Sequence, residues 1–408
     1  MKNYVHILSH NSCEDQFTFY IRYINNHQFD ITILRTDSNS PWGHPIKLCV
    51  YDCDFDKYEI LDVTKPTSNP MLYTLHTTQI LLQDGIPQTK NVEEQDCLWV
   101  NSRGILKSCD IHSKTPISGI HTLINYTNYQ PNQPTEKTTN TKLFHICGSS
   151  LHNFYAKILP TLTSPIILIC NDCDDTIPHN QLNDSDFLKL IQHPNIVHFF
   201  SQNLEIKKWS GFKDKISIIP IGLDYHTLFY DDNSSWGPRA LPFEQEKTLT
   251  QIINNAKPLT ERISHKIYIN FGKNYPSWYK GGNDRKRVFE QIDASLLHIE
   301  KSGLIRTQTW QNQTDFAFIL SPPGNGMDCH RHYESILLGN IVIMKRTEID
   351  ELFADFPVIF VDHWSEINSD FLQYHYNIFK NKESIVNYDK LKLSYWKNFF
   401  LKSSQKKQ

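Results

Sequence analysis

The segment that most constrains the fold is residues 316–345, which read FAFILSPPGNGMDCHRHYESILLGNIVIMK. Two apolar runs of strand composition, 316–320 and 341–344, flank a loop with two glycines and a helical stretch. This pattern predicts a strand, a loop, a helix and a second strand, which together form one βαβ unit. Asp328 is expected to cap the helix, and Gly339 is expected to close it.

The loop between the first strand and the helix has the features of an anion site. Gly324 and Gly326 flank Asn325 and let a ligand come close to the backbone. The helix start adds free backbone N–H groups and the positive end of the helix dipole. Arg331 in the first turn can pair with phosphate oxygens, and Glu334 can accept hydrogen bonds from a ribose diol. The alternative is a buried crossover in which Arg331 and Glu334 pair with each other and the glycines only make a tight turn.

The sequence of residues 321–343, SPPGNGMDCHRHYESILLGNIVI, resembles the C-terminal signature of exostosin-like glycosyltransferases of bacterial or viral type. That signature has the form S-P-x-G-N-G-x-D-C-x-R-x-W-E-x-L-x-x-G-x-I-P-I, with Trp at the place of Tyr333 and Pro at the place of Val342. Three upstream segments extend the resemblance over residues 142–365: PIILICNDCDDTIP, FFSQNLE and IPIGLDYHTL. The resemblance implies a GT-B fold of two facing Rossmann-like halves, a nucleotide-sugar donor in the C-terminal half, and sugar transfer without a required metal.

The predicted fold class is α/β, with a GT-B-like pair of Rossmann-like halves preceded by a small antiparallel β domain. Residues 1–135 alternate apolar and polar side chains, which predicts a β-rich, sandwich-like domain. After the polar linker 128–142, short apolar strands with helices between them predict a first Rossmann-like half over 136–228, on the acceptor side. Residues 229–408 are expected to form the half that binds the nucleotide sugar, and to end in a helix that crosses back onto the first half.

A second loop of the C-terminal half is also basic. A strand over 266–271 leads into a glycine-rich loop that contains Lys273, and a helix begins near Asp284. Lys273 and the helix-start residues Arg285 and Arg287 are expected to contact the donor phosphates. The alternative is a solvated basic helix face. Two such loops from one sheet would meet at the crevice outside the carboxyl ends of the strands.

An inverting transferase needs a base that deprotonates the acceptor hydroxyl. Asp174, at the carboxyl end of an apolar strand, is the first candidate, followed by His152 and Asp224. Their structural alternatives are a loop cap, a helix-start histidine and a hinge hydrogen bond, respectively. Asp172 and Asp174 also form a D-x-D pattern, which in GT-A transferases binds a divalent cation. A metal-dependent reaction therefore stays open as an alternative.

Composition argues against several function classes. A net charge of −3 gives no excess of basic residues for binding nucleic acid. No apolar run approaches the roughly 18 residues of a membrane span, and the first residues do not begin a signal peptide. We therefore expect a cytoplasmic protein, at most in peripheral contact with a membrane. Nine cysteines, an odd number, argue against a disulfide framework, and the C-x-x-C pair of Cys170 and Cys173 lacks the second ligand pair of a zinc site.

Together these interpretations predict an inverting, metal-independent glycosyltransferase. It would move a sugar from a nucleotide-sugar donor to a glycan or glycolipid acceptor in surface polysaccharide or glycan synthesis, with no cofactor and no bound metal. One alternative is a noncatalytic glycan-binding protein on a transferase scaffold, in which aromatic residues such as Trp42 and Trp99 stack on sugar rings. The other is the metal-dependent transferase that uses Asp172 and Asp174.

Overall fold

Two compact units, Met1–Gln88 and Thr89–Gln408, divide the chain by their internal contacts. The structure is a computed structural model. Besides six strands within residues 4–76, it describes residues 94–112, 141–225, 240, 242–271, 283–380 and 387–405. The domain boundaries predicted near residues 135 and 228 remain predictions.

The described residues of the first unit form two antiparallel sheets. The strands are β1 Tyr4–Leu8, β2 Phe17–Asn25, β3 Gln28–Arg35, β4 Ile46–Tyr51, β5 Tyr58–Val63 and β6 Leu72–His76. One sheet has the order β1-β4-β5 and the other has the order β2-β3-β6, with antiparallel neighbours throughout. A sandwich-like domain built from these strands remains a prediction.

The second unit alternates strands and helices. Its described strands are β7 Lys142–Cys147, β8 Ile166–Asn171, β9 Ile196–Ser201, β10 Ile216–Ile218, β11 Ile263–Ile269, β12 Leu297–Ile299, β13 Phe316–Leu320, β14 Ile341–Lys345 and β15 Val358–Val361. Its described α-helices are α1 Ser102–Lys107, α2 Leu151–Asn153, α3 Asp184–Gln192, α4 Pro242–Asn255, α5 Asp284–Gln291, α6 Arg306–Gln313, α7 His330–Leu337, α8 Ser369–Phe379 and α9 Leu393–Gln405. A π-helical turn, Phe154–Ile158, continues α2. Within this described part of the chain, none of the helices is long and apolar enough to cross a membrane.

Short 3₁₀ turns join several of these elements. They are Glu94–Asp96, Gly148–Ser150, Leu159–Thr161, Ser210–Phe212, Leu259–Glu261, Ala294–Leu296, Asp350–Phe353, Trp364–Glu366 and Tyr388–Leu391. The turn at Trp364–Glu366 follows β15 directly, so it lies at the carboxyl edge of the second sheet described below.

Two sheets of parallel strands form the frame of the second unit, so the predicted α/β class is confirmed. The first sheet contains β7, β8, β9 and β10 in chain order. The second has the order β12-β11-β13-β14-β15. Strands covered on both faces need apolar side chains throughout. Every residue of β8 and of β13 is buried, in agreement with this requirement.

In the second sheet, the direction in which successive strands are added reverses between β11 and β13. The chain runs from β11 through α5 to β12 on one side, and then returns through α6 to β13 on the other side. From β13 it continues outward through α7 to β14 and then to β15. Neighbouring strands whose connections leave in opposite directions open a crevice at their carboxyl ends, where α/β proteins bind ligands. Here that crevice lies between Phe271, after β11, and Ser321, after β13.

The predicted βαβ unit is confirmed as β13, α7 and β14. Gly339 closes α7 with φ of +79°, and its N–H bonds the carbonyl of Ile336 at 3.0 Å. The N–H of Asn340 bonds the carbonyl of Ser335 at 3.0 Å, which completes a Schellman motif. The prediction that Asp328 caps this helix was wrong. Cys329 holds the cap position, because the carboxylate of Asp328 accepts from the N–H of Ile221 and the hydroxyl of Tyr333 instead of a backbone N–H at the helix start.

One hydrophobic core joins the first sheet, one face of the second sheet and the C-terminal helix α9. Phe400 is fully buried against Phe200 of β9, with ring centroids 4.9 Å apart, and Phe399 lies 5.5 Å from the same ring. The tail predicted to cross back therefore packs on the first sheet. It is divided into α8 and α9 and is not one continuous helix. The other face of the second sheet has its own core beneath α5 and α8.

A buried histidine in the first sheet makes stability depend on pH. His145 of β7 hydrogen-bonds the side-chain oxygen of Asn171, and burial lowers its pKa to about 4, although Asp172 partly opposes this and His112 adds to it. The unfolded chain takes up this proton near pH 6.5, so the resulting stability is present above that pH and is lost as the pH falls toward about 4.

We expect this single group to remove about 2 kcal/mol of unfolding free energy between pH 7 and pH 5. Urea unfolding at both pH values, for the wild type and for His145→Gln, measures the effect. The variant should lose about 2 kcal/mol less than the wild type over this interval. Equal losses in the two proteins would show that His145 titrates normally in the folded state.

Candidate functional site

The glycine loop after β13 folds back over the start of α7. The N–H of Gly324 bonds the carbonyl of Gly326 at 3.1 Å. One Nη of Arg331 donates to the Ser321 hydroxyl and to the Pro322 carbonyl, both at 3.2 Å. The guanidinium of Arg331 is therefore held at the carboxyl end of β13, on the crevice side of the loop.

Two arginines from separate loops meet at the crevice. The guanidinium carbon of Arg331 lies 5.2 Å from the ring centroid of Phe271, and that of Arg285, in the first turn of α5, lies 5.9 Å from the same centroid. A side-chain carbon added at Gly324 would lie 3.6 Å from Arg285. The structure thus brings together one predicted basic residue from each of the two loops. Two positive charges beside the same ring raise the local positive potential, which favours a bound anion.

Of the remaining predicted basic residues of this loop, Arg287 does not join the pair. Arg287 is exposed, and two residues along a helix turn the side chain by roughly 200°, so it projects away from Arg285. Lys273 lies outside the described residues. A cation that the sequence analysis missed, Lys345, ends β14 and lies 3.5 Å from Asp284 and 5.5 Å from the ring centroid of Trp364. Its position at the end of an apolar strand was the available signal.

The loop after β8 faces the glycine loop. The Asn325 amide donates to the carboxylate of Asp174 at 3.3 Å. A side-chain carbon at Gly326 would lie 2.8 Å from the Asp174 carbonyl and 2.6 Å from the Asn203 amide nitrogen. Only a glycine fits there without displacement of its neighbours. The carboxyl-end loops of the two sheets are therefore in direct contact.

Two carboxamides after β9 fix the loop that carries Asp174. Gln202 accepts from the N–H of Asp172 at 2.8 Å and donates to the carbonyl of Cys173 at 2.9 Å. Asn203 donates to the same carbonyl at 3.1 Å and accepts from the N–H of Asp328 at 2.9 Å. Asn203 thus bridges the loops of the two sheets. No role was predicted for either residue, although two carboxamides directly after a strand were a usable signal.

The two carboxylates of the D-x-D pattern contact different elements. Asp172 has φ of +60° and accepts from the Ser102 hydroxyl of α1 at 2.6 Å, whereas Asp174 contacts Asn325. In the part of the chain that the structure describes, no group of three or more His, Cys, Asp or Glu side chains is arranged to hold a metal ion. A metal-independent reaction nevertheless stays a prediction.

Asp328 is the buried anchor between the two sheets. It is 2 % exposed and accepts from the N–H of Ile221 at 2.7 Å and from the hydroxyl of Tyr333 at 2.8 Å. Tyr333, which replaces the Trp of the signature, therefore supplies a hydrogen bond to this carboxylate. His332 lies 3.4 Å from the other oxygen. Burial lowers the pKa of His332, and Asp328 only partly offsets the shift, so the imidazole is neutral at pH 7.

Glu334 pairs with a residue that the sequence analysis missed. Its carboxylate forms an ion pair with Arg306 at the start of α6 and accepts from the indole N–H of Trp310 at 2.9 Å. Arg306 also donates to the carbonyl of Asp224 at 2.5 Å. The i to i+3 spacing suggested Arg331 as the partner of Glu334, but the structure supplies a partner from another helix.

The three candidate bases occupy different surroundings. Asp174 is exposed and contacts the glycine loop. Asp224 is 1 % exposed beside Arg306. His152 is exposed on α2, and its backbone N–H lies 3.5 Å from the Gln181 side chain. Of the three, Asp174 is the one that contacts the glycine loop.

The thiols at these strand ends are protonated. Burial raises the pKa of Cys147 to about 12, and it also raises the pKa of Cys170 and of Cys173. Burial likewise raises the pKa of Cys329, which Arg331 and Arg285 oppose and which Asp328 and Asp174 reinforce. These directions favour inert structural thiols over a redox pair.

The aromatic residues of the glycan-binding alternative were Trp42 and Trp99. Trp42 lies outside the described residues. Trp99 lies in the second unit, where it is partly buried against the core and its backbone N–H donates to Glu246 at 3.0 Å. It therefore packs in the structure beside α1 and does not stand free on the surface.

Comparison with known proteins adds no family assignment. No protein-family model matches the chain, and a search of curated proteins gave no matching sequence. The geometry of the crevice and of the facing loops is therefore the basis for a functional proposal.

Proposed function

We propose that this protein is a GT-B-type glycosyltransferase whose nucleotide-sugar donor binds at the crevice between β11 and β13. The observation that carries the proposal is that Arg285 and Arg331 both lie against the Phe271 ring. This ring is at the point where the strand order of the sheet reverses. Helix starts at such a crevice favour phosphate groups. The acceptor would lie on the first sheet, at the loop that carries Asp174.

The chemistry follows from this arrangement. Displacement of a nucleoside diphosphate from the anomeric carbon builds negative charge on the leaving phosphate. The guanidinium groups of Arg285 and Arg331, with the amides at the start of α7, would stabilise that charge in place of a metal ion. Asp174 would take the proton of the acceptor hydroxyl as it attacks, and a single displacement inverts the anomeric configuration. The resemblance to exostosin-like enzymes supports a glycan or glycolipid acceptor in cytoplasmic polysaccharide synthesis.

The contacts between the sheets support a preformed cleft. Asp328 and Asn203 join the loops by buried hydrogen bonds, and a continuous core lies beneath them. Any closure over the donor would therefore involve loops around the crevice, not a hinge that separates the sheets. Preformed positions for the phosphate groups and for Asp174 reduce the entropic cost of aligning donor and acceptor.

Replacement of Arg331 by alanine is expected to weaken the binding of nucleoside diphosphates by about tenfold to a hundredfold, because a charge-assisted hydrogen bond to phosphate is lost. Melting temperature measured against UDP, GDP, ADP, CDP and their sugar derivatives, with and without magnesium or manganese, tests this. A ligand at 100 times its dissociation constant stabilises the folded state by about 2.7 kcal/mol.

Lys286→Ala is the matched control, since it removes a positive charge from the same turn of α5 as Arg285. Lys286 is exposed and pairs with Glu290 at 3.5 Å, so this variant should bind nucleotides as the wild type does. A shift that requires metal and survives Arg331→Ala would move the donor site to Asp172 and Asp174. No shift with any nucleotide would contradict the transferase proposal and favour the glycan-binding alternative.

A further inference from the structure

The start of α6 places a buried arginine at the carboxyl edge of the second sheet. Arg306 is 7 % exposed, and its guanidinium lies 4.5 Å from the ring centroid of Trp310. It forms the ion pair with Glu334 and donates to the carbonyl of Asp224, which follows β10 of the first sheet. The same side chain therefore contacts α7 and the connection between the sheets.

The cost of burying the Arg306 charge is offset by the neighbouring groups of the cluster. Burial would lower the pKa of Arg306, but Glu334 and Asp224 raise it, and the net shift is upward. A guanidinium also stays charged at all ordinary pH values and presents its donors in a fixed planar fork. The carboxylate of Glu334 thus has a permanent cation beside it and an orientation set by two donors, Arg306 and Trp310.

The spacing of Glu334 and Arg331 fits a nucleotide. Glu334 lies one turn after Arg331 on the same face of α7, which is a separation of about 5 Å along the helix. In a nucleoside diphosphate, the ribose lies at a distance from the diphosphate that is comparable to the separation of these two residues. A carboxylate has about four acceptor positions, so the contacts with Arg306 and Trp310 leave acceptor capacity on both oxygens of Glu334.

We infer that Arg306 is a positioning residue for the ribose of the donor, because its ion pair orients the Glu334 carboxylate toward the ribose hydroxyls. The inference rests on the proposed function and deepens it, since it assigns the selection of ribonucleotides over deoxyribonucleotides to this pair. Arg306 itself does not contact the nucleotide. Its effect passes through Glu334, while Arg285 and Arg331 bind the diphosphate.

Binding of UDP, GDP and ADP, each compared with its 2′-deoxy counterpart by titration calorimetry, tests the inference. The wild type should prefer the ribonucleotide by about tenfold, the range of one hydrogen bond to a charged group. Arg306→Gln and Glu334→Gln should bring this ratio close to one while diphosphate binding persists. Arg306→Lys should retain part of the preference, because it keeps the charge but not the planar fork.

Arg346→Gln is the matched control, since it makes the same substitution at a half-exposed guanidinium near the same sheet edge, paired with Asp362. Its ratio should equal that of the wild type. If Arg306→Gln is too unstable to measure, Glu334→Gln, which keeps one acceptor oxygen and nearly the same volume, decides the question alone. A ratio unchanged in Glu334→Gln, with the diphosphates still bound, overturns this inference but not the proposed function. Failure of the wild type to bind any nucleoside diphosphate overturns both.

Discussion

Replacement of Asp328 by alanine is expected to lower the free energy of unfolding by about 4 kcal/mol. The substitution leaves the N–H of Ile221 and the hydroxyl of Tyr333 without their acceptor in a buried site. Each stranded group costs about 1–3 kcal/mol of desolvation that folding no longer recovers. The loss falls where the two sheets join, so both sheets should be affected together.

Urea unfolding monitored by tryptophan fluorescence measures the loss. Asp328→Asn is the matched variant, because it keeps one acceptor oxygen and the same volume, and it should cost about half as much or less. Asp315→Ala removes an exposed carboxylate paired with Lys257 and should cost less than about 1 kcal/mol. An Asp328→Ala protein within about 1 kcal/mol of the wild type would show that water replaces the carboxylate at this junction.

Local patterns were sufficient to predict the elements that build the crevice. The strand predicted over 316–320 is β13 as observed, the strand predicted over 341–344 is β14 with one residue more, and the helix expected to begin near Asp284 begins there. These predictions succeed because a buried parallel strand is a continuous apolar run and a helix start has its own residue preferences. Both signals lie within a few residues of sequence.

The contacts that organise the site could not be predicted in this way. Asp328 bonds a residue 107 positions away, Asn203 bonds one 125 positions away, and Arg306 bonds one 82 positions away. No periodicity connects positions at such separations. Asp328 was therefore interpreted as a helix cap, which is the local role that its type suggests, while its carboxylate is used in a tertiary contact.

Glu334 shows the same limit within a correctly predicted helix. Helical spacing places it beside Arg331, and that neighbour was its expected partner in the structural alternative. In the structure, its carboxylate oxygens instead accept from Arg306 and Trp310. Both residues belong to a helix that was not predicted from the sequence. Helix α6 has a weakly apolar sequence, RTQTWQNQ, so its periodicity was too faint to mark it.

Gly326→Ala is expected to lower the free energy of unfolding by about 2 kcal/mol, the middle of the range for overpacking a filled site. The new methyl group would lie 2.8 Å from the Asp174 carbonyl and 2.6 Å from the Asn203 amide nitrogen. Neither neighbour yields easily, because the first is backbone and the second is fixed by hydrogen bonds at both ends of its amide. The glycine loop and the Asp174 loop must therefore separate.

Gly324→Ala is the matched control, two residues away in the same loop. Its methyl group would meet the Cys329 sulfur at 3.1 Å and Arg285 at 3.6 Å, and both are side-chain ends that can adjust. Each substitution gains the same unfolded-state entropy term, about 0.4–1 kcal/mol, so the difference between the two urea midpoints isolates the contact between the loops. Equal stability of the two variants would mean that the loops separate without cost. Under the proposed function, separation also moves Asp174 away from the crevice, so sugar transfer should fall more steeply in Gly326→Ala than nucleotide binding does.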